Sequence, residues 1–203
     1  MSRVEQIRLQ NIPHINLREQ FYNHYHFVTG SELASQLENW QSTKVIKTPY
    51  VCWYYWPSDF FTYLTQMSVV GLESYLCGSV YSLLGQQGAL KDHVKYVRNP
   101  YAIPGGRGTA EKYFVKLPSL VSADISLASS DPELWADVKE FYKSVRNPIF
   151  HGMQIASDEH TDLVRIFELL ADIYGWIDGW YDLDDIIDGA SWVTRLKRPT
   201  PRI

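Results

Sequence analysis

Between Phe60 and Leu84, apolar residues surround a helical projection almost continuously, and no other stretch limits the fold so strongly. A helix that is apolar on all sides needs other elements around it, so this one belongs at the centre of a core. Ser58 or Asp59 can cap its start and Gly85 supplies a stop. From Ser68 to Leu84 it is interrupted by Glu73 and by several Ser, Gly and Tyr residues. It therefore falls short of the roughly 18 uninterrupted apolar residues expected of a membrane span. The first ten residues contain Arg3, Glu5 and Arg8 and no apolar run of a secretory signal. The expectation is a soluble, cytoplasmic protein with no membrane partner.

The 203 residues suffice for one well-buried core. A 45% hydrophobic and 21% charged composition excludes a disordered or collagen-like chain. A net charge of -4 argues against coating nucleic acid by bulk electrostatics, so any such contact is local. Cys52 and Cys77 form neither a disulfide framework nor a zinc spacing, which fits a reducing compartment.

Helical spacing recurs on both sides of the central segment. Asn16 can cap a helix from Leu17 to about Val28, and a second runs from Ser31 to Trp40. Lys44 to Pro57 is β-branched and aromatic but holds Pro49 and Pro57, so strand content should be minor. From Gln86 to Ser130 the pattern fails amid Pro and Gly, and an irregular excursion is expected there; residues 91–116 carry six cations against two acids. Asp131-Pro132-Glu133 then opens a helix, with Leu134, Val138, Phe141 and Val145 as its buried stripe. A last long helix spans about Glu159 to Tyr181. The fold class is all-α, a helical bundle in which residues 58–190 form the core domain with an insertion at 86–130. Residues 1–57 are an N-terminal extension packed on it, and 191–203 are a basic tail containing Arg195, Lys197, Arg198 and Arg202.

The stretch Arg146-Asn147-Pro148-Ile149-Phe150-His151-Gly152 puts a permanent cation and a titratable imidazole five residues apart. On one continuous helix these side chains would diverge by about 140°. Pro148 disfavours helical geometry at Asn147 and suits the first position of a new helix. The expectation is a helix end near Arg146 and a restart with Asn147 as cap, which can bring Arg146 and His151 together. A first-turn position would also favour the neutral imidazole. Such a pair suits RNA cleavage without a metal, the imidazole taking the 2′-hydroxyl proton and the guanidinium binding the phosphate. Arg-x4-His alone would arise by chance about 0.3 times in this composition, so the flanking Asn and Gly carry most of the signal.

This motif resembles that of the HEPN domain superfamily, helical bundles of which many are ribonucleases, whose hallmark is R-x4-6-H, often R-N-x-x-x-H. The resemblance covers about residues 58–85 and 131–185. It implies Arg146 and His151 as the catalytic pair and Asn147 as accessory, with no cofactor or metal. The implied products carry a 2′,3′-cyclic phosphate, and the implied site is a composite cleft across a homodimer. Some members are toxins or abortive-infection factors, which implies an antitoxin or defence-system partner. A branch reading R-x4-H-x-Y is regulated at its Tyr; this chain has Met153 there. Some members use an acidic residue on the first core helix, for which Glu73 is the candidate.

Blander readings stand beside these. Arg146 can complement a helix C-terminus, His151 can satisfy backbone, and Glu73 can pair with a core Arg, Arg146 included. Arg107, on the glycine-rich turn Gly105-Gly106-Arg107-Gly108, and Lys143 are candidate RNA-phosphate contacts. His24-Tyr25-His26 reads as packing rather than metal ligation. Asp178, Asp182, Asp184, Asp185 and Asp188 read as a solvated face, and Trp53-Tyr54-Tyr55-Trp56 as core or dimer packing rather than a base platform. The leading expectation is a HEPN-type endoribonuclease. The alternatives are a non-catalytic module binding a nucleotide or protein partner, and an interaction protein in which the motif only ends helices.

Overall fold

The computed structural model describes residues 15–48, 52–54, 56–155 and 159–181. These are helical apart from one two-stranded antiparallel sheet and connecting turns. Helix α1 (Ile15–Thr29) leads to α2 (Ser31–Glu38) and then to the strands β1 (Ile46–Lys47) and β2 (Cys52–Trp53), with Ile46 opposite Trp53. The long helix α3 (Pro57–Gln86) follows, then α4 (Leu90–Arg98). Beyond a series of short turns come α5 (Pro132–Phe141), α6 (Asn147–Phe150) and α7 (His160–Asp178).

α3 is the centre that its apolar perimeter requires. By length and composition it could cross a membrane, but more than half of its most apolar window is buried inside the fold. α1 and α7 pack against it and against each other. Phe21 of α1 stacks on Tyr174 and Phe167 of α7 at ring separations of 4.4 and 5.7 Å. α1 is thus a full member of the central layer. Its helix already includes Asn16, so that residue is not the cap. α3 likewise starts one turn earlier than expected. Trp56 is its N-cap and Pro57 its first residue, because a proline without an N–H is well suited to that position; Ser58 and Asp59 lie inside the first turn. The helix continues through Gly85, and the left-handed residue that turns the chain is Gly88, with φ 74°.

Residues 86–130 are not irregular. Besides α4 they contain the helical turn Thr109–Glu111, which runs on as the π turn Lys112–Lys116, and several 3₁₀ turns. Val97, Ile103, Phe114, Leu117 and Leu127 are all buried in the same core. The Pro and Gly residues mark changes of direction between pieces too short to display a helical period. By contrast, the start of α5 matches its signals, with the Asp131 carboxylate accepting from the Leu134 N–H at 3.0 Å and Pro132 in the first turn.

Asp178 does not belong to a solvated face. It is buried at the end of α7, where its carboxylate accepts from Arg18 Nε of α1 at 2.7 Å and from the Tyr75 hydroxyl of α3 at 2.8 Å. One charge pair and one phenol therefore join the three central helices. An ion pair this deep depends on further hydrogen bonds to offset its desolvation, and the Tyr75 hydroxyl supplies one to the carboxylate. The remaining aspartates of that run, Tyr55 and the basic tail lie outside the described residues.

Candidate functional site: a guanidinium held on the central helix

The helix carrying the RNPIFHG motif does not break at Pro148. α5 passes into a π turn, Tyr142–Arg146, and directly into α6. Arg146 (φ -58°, ψ -53°) and Asn147 (φ -64°, ψ -46°) are both right-handed helical, so Asn147 is not a cap. A proline inside an α-helix lacks a donor and drives its ring into the carbonyl four residues back. The π turn removes that conflict by adding a residue to the turn ahead of Pro148, with the Asn147 N–H reaching the Tyr142 carbonyl. The chain absorbs the proline by widening rather than by restarting.

His151 consequently sits at the C-terminal end of this helix, not in a first turn, and the dipole argument for a neutral ring does not apply. Gly152, at φ 85°, closes the helix: its N–H bonds the Ile149 carbonyl at 3.3 Å, and the Met153 N–H bonds that of Pro148 at 3.0 Å. This is a Schellman ending, and it leaves His151 exposed. A Cβ at Gly152 would meet open space, so Gly152→Ala is penalised by its left-handed backbone alone. The expected loss is about 1 kcal/mol, read as a lower urea midpoint, with Gly152→Asn losing less because Asn tolerates that conformation.

Arg146 turns inward and is only 8% exposed. Its Nε and one Nη donate to the two carboxylate oxygens of Glu73 on α3, at 3.1 and 3.3 Å, and that Nη also lies 3.0 Å from Oε1. The other Nη donates to Asn147 Oδ1 at 3.3 Å. The Phe150 ring lies under the guanidinium, 4.1 Å from centroid to Cζ. Tyr142, which is fully buried, donates its hydroxyl to Glu73 Oε1 at 2.9 Å. Burial holds the Glu73 carboxyl above its ordinary value, and the pull of Arg146 and the hydrogen bonds from Tyr142 and Arg146 only partly offset it. Burial is also the largest influence on Arg146, where it opposes the charge, but Glu73, Tyr142 and Tyr101 together outweigh it and raise the pKa. Burial and Glu73 together push the Tyr142 phenol well up, so it remains a donor.

The motif is fastened along α3 by further bonds. Gln66 Nε2 donates to the Ile149 carbonyl at 3.0 Å, the Ile155 N–H donates to Thr62 Oγ1 at 3.0 Å, and Gln154 donates to the Asp59 carboxylate. Sequence reading found Glu73, Arg146 and Asn147, which the structure brings together. It missed Tyr142 and Gln66, whose only available signal was helical spacing from Arg146 and from Glu73 respectively. Arg146 and His151, however, leave a continuous helix in different directions. Lys143 is exposed and pairs with Glu140 at 3.6 Å, and Arg107 is exposed on its glycine turn with its N–H bonded to Glu111 at 2.8 Å.

The aromatic run is divided. Trp53 stacks on Tyr63 at 5.0 Å while Tyr54 and Trp56 remain mostly exposed. His24 is half-buried, and burial lowers its pKa. Among the described residues no group of three or more His, Cys, Asp or Glu side chains is arranged to hold a metal ion. No protein-family model, no characterised protein and no solved structure matches the chain.

Proposed function

We propose that the chain is an endoribonuclease of the HEPN type, with Arg146 holding the scissile phosphate and His151 taking the proton from the 2′-hydroxyl. What carries the reading is how Arg146 is held. Glu73 and Asn147 fix the guanidinium through three hydrogen bonds, out of the five N–H donors that an Arg presents. Tyr101 takes a further hydrogen bond from the guanidinium, the N–H left over is the donor for a phosphate oxygen in this proposal, and the exposed imidazole stands at the end of the same helix. Attack of the 2′-oxygen on phosphorus breaks the bond to the 5′-oxygen, which takes a proton from solvent. The products are a 2′,3′-cyclic phosphate and a 5′-hydroxyl, with no metal in the reaction.

Residues five apart on a helical path diverge by about 140°. In this proposal two copies therefore pair face to face, and the imidazole of one serves the guanidinium of the other. A cytoplasmic nuclease of this kind would work as a toxin or phage-defence component, restrained by an antitoxin or another partner of its system. The burial of Arg146 favours a second reading, a non-catalytic module that binds a nucleotide or protein partner, since most of the guanidinium already serves the fold.

Labelled total RNA incubated with the purified protein in EDTA separates these readings. Wild type is expected to leave 2′,3′-cyclic ends, His151→Ala to leave none, and a mixture of His151→Ala with Arg146→Lys to regain part of the activity. Equal cleavage by wild type and His151→Ala would remove the nuclease proposal. A folded but inert wild type would favour the binding module.

A further inference from the structure

Beside the Arg146 cluster, between α3 and α4, lies a groove of about 630 Å³ that shares Glu73 with that cluster and otherwise plays no part in the catalytic proposal. Its floor includes Glu73, Ser74, Cys77 and Gly78, and its walls include Tyr81, Arg98 and Tyr113. Tyr81 is 45% exposed. Tyr101, 53% exposed, stands edge-on to Tyr113 at 6.0 Å and interacts with the Arg146 guanidinium. The groove therefore runs to the candidate site through its aromatic wall. Burial and Glu73 push the Cys77 thiol up to about 12, so the one thiol in the floor is unreactive.

The approach to the groove is cationic, although the chain as a whole is acidic. Lys91, Lys95 and Arg98 recur at i, i+4 and i+7 on α4 and are all exposed, so they share one helix face. Their spacing along the axis is roughly 4.5 to 6 Å, which suits successive phosphates of an extended strand. Asp92 is the single acid on that helix.

We infer that this groove binds a single strand of RNA, with bases stacked on Tyr81 and Tyr101 and phosphates on Lys95 and Arg98, and feeds it toward Arg146. Exposed aromatic faces beside a row of cations are what unpaired nucleic acid needs, because every base offers a π face and every linkage a negative charge. A rigid duplex hides its bases and cannot use the tyrosines. A second copy of the chain would bring the same cations to the same face and so fits less well. This assignment rests on the nuclease reading for its direction but not for its binding.

The test uses the full-length His151→Ala protein, which binds without cutting, and a short fluorescein-labelled RNA of mixed sequence, single-stranded or annealed to its complement. Fluorescence anisotropy is expected to show tighter binding of the single strand. The pair Tyr81→Ala and Tyr101→Ala should each weaken it about tenfold. Lys95→Gln with Arg98→Gln should flatten the slope of log affinity against log salt by about 1.4. Unchanged circular dichroism would exclude unfolding, since all four side chains are at the surface. Affinity indifferent to these substitutions, or equal for strand and duplex, would overturn the assignment, as would a change in sedimentation coefficient without a change in RNA affinity. Wild type that binds in this pattern yet cuts nothing would keep the groove and remove the nuclease. Cutting with affinity unaffected by the substitutions would keep the nuclease and remove the groove.

Discussion

His151→Ala is expected to lower the rate of RNA cleavage by about 10²–10⁴-fold, the range contributed by a positioned general base. It should leave the fold intact. The imidazole is exposed at a helix end whose closure depends on the backbone of Gly152 and Met153, so the change in stability should stay within about 0.5 kcal/mol. Added imidazole should restore part of the activity in His151→Ala and none in Arg146→Lys. Single-turnover cleavage of a labelled RNA, read beside a urea unfolding curve, gives both quantities. A parallel loss of activity and stability would mean that His151 serves the fold, and a variant as active as wild type would leave the catalytic role untenable.

The second large effect lies at Glu73. Glu73→Ala leaves the buried Arg146 guanidinium and the Tyr142 hydroxyl without their acceptor, and breaking one side of such a pair costs about 3–5 kcal/mol. Glu73→Gln should cost much less, because an amide oxygen still accepts from both. The amide gives up the charge that compensates Arg146 but also removes a negative charge that burial disfavours, since burial holds the Glu73 carboxyl above its ordinary 4.5. The sign follows from linkage. With the folded pKa above the unfolded one, the folded state binds the proton more tightly. Stability from this group is therefore complete below 4.5 and declines as pH rises through the folded value. Wild type should lose ground to Glu73→Gln over that interval in urea midpoints taken across pH. Equal losses for Gln and Ala, or a gap between wild type and Gln that does not change with pH, would contradict this account.

Part of this site was legible locally. The Asp131 cap, the central place of α3 and the long apolar stripe of α7 were each written in a few consecutive residues. The pairing of Glu73 with Arg146 stood among open alternatives, because 73 residues separate the two and no local rule connects them. Arg18 with Asp178, 160 residues apart, left no mark at all. The reading at Pro148 failed for a different reason. A proline demands that one carbonyl be moved away, and the chain can meet that demand by ending a helix or by inserting a π turn. The choice depends on what the surrounding side chains need. Here Arg146 and Tyr142 must both face Glu73, while Ile149 must stay buried with its carbonyl against Gln66.

What the amino-acid order determined alone was therefore the kind of elements and which of them is innermost, because apolar periodicity and end signals act within a few residues. Only the tertiary structure decided where the charged groups point. A buried guanidinium takes the direction of the carboxylate that compensates it, and that carboxylate arrives on another helix.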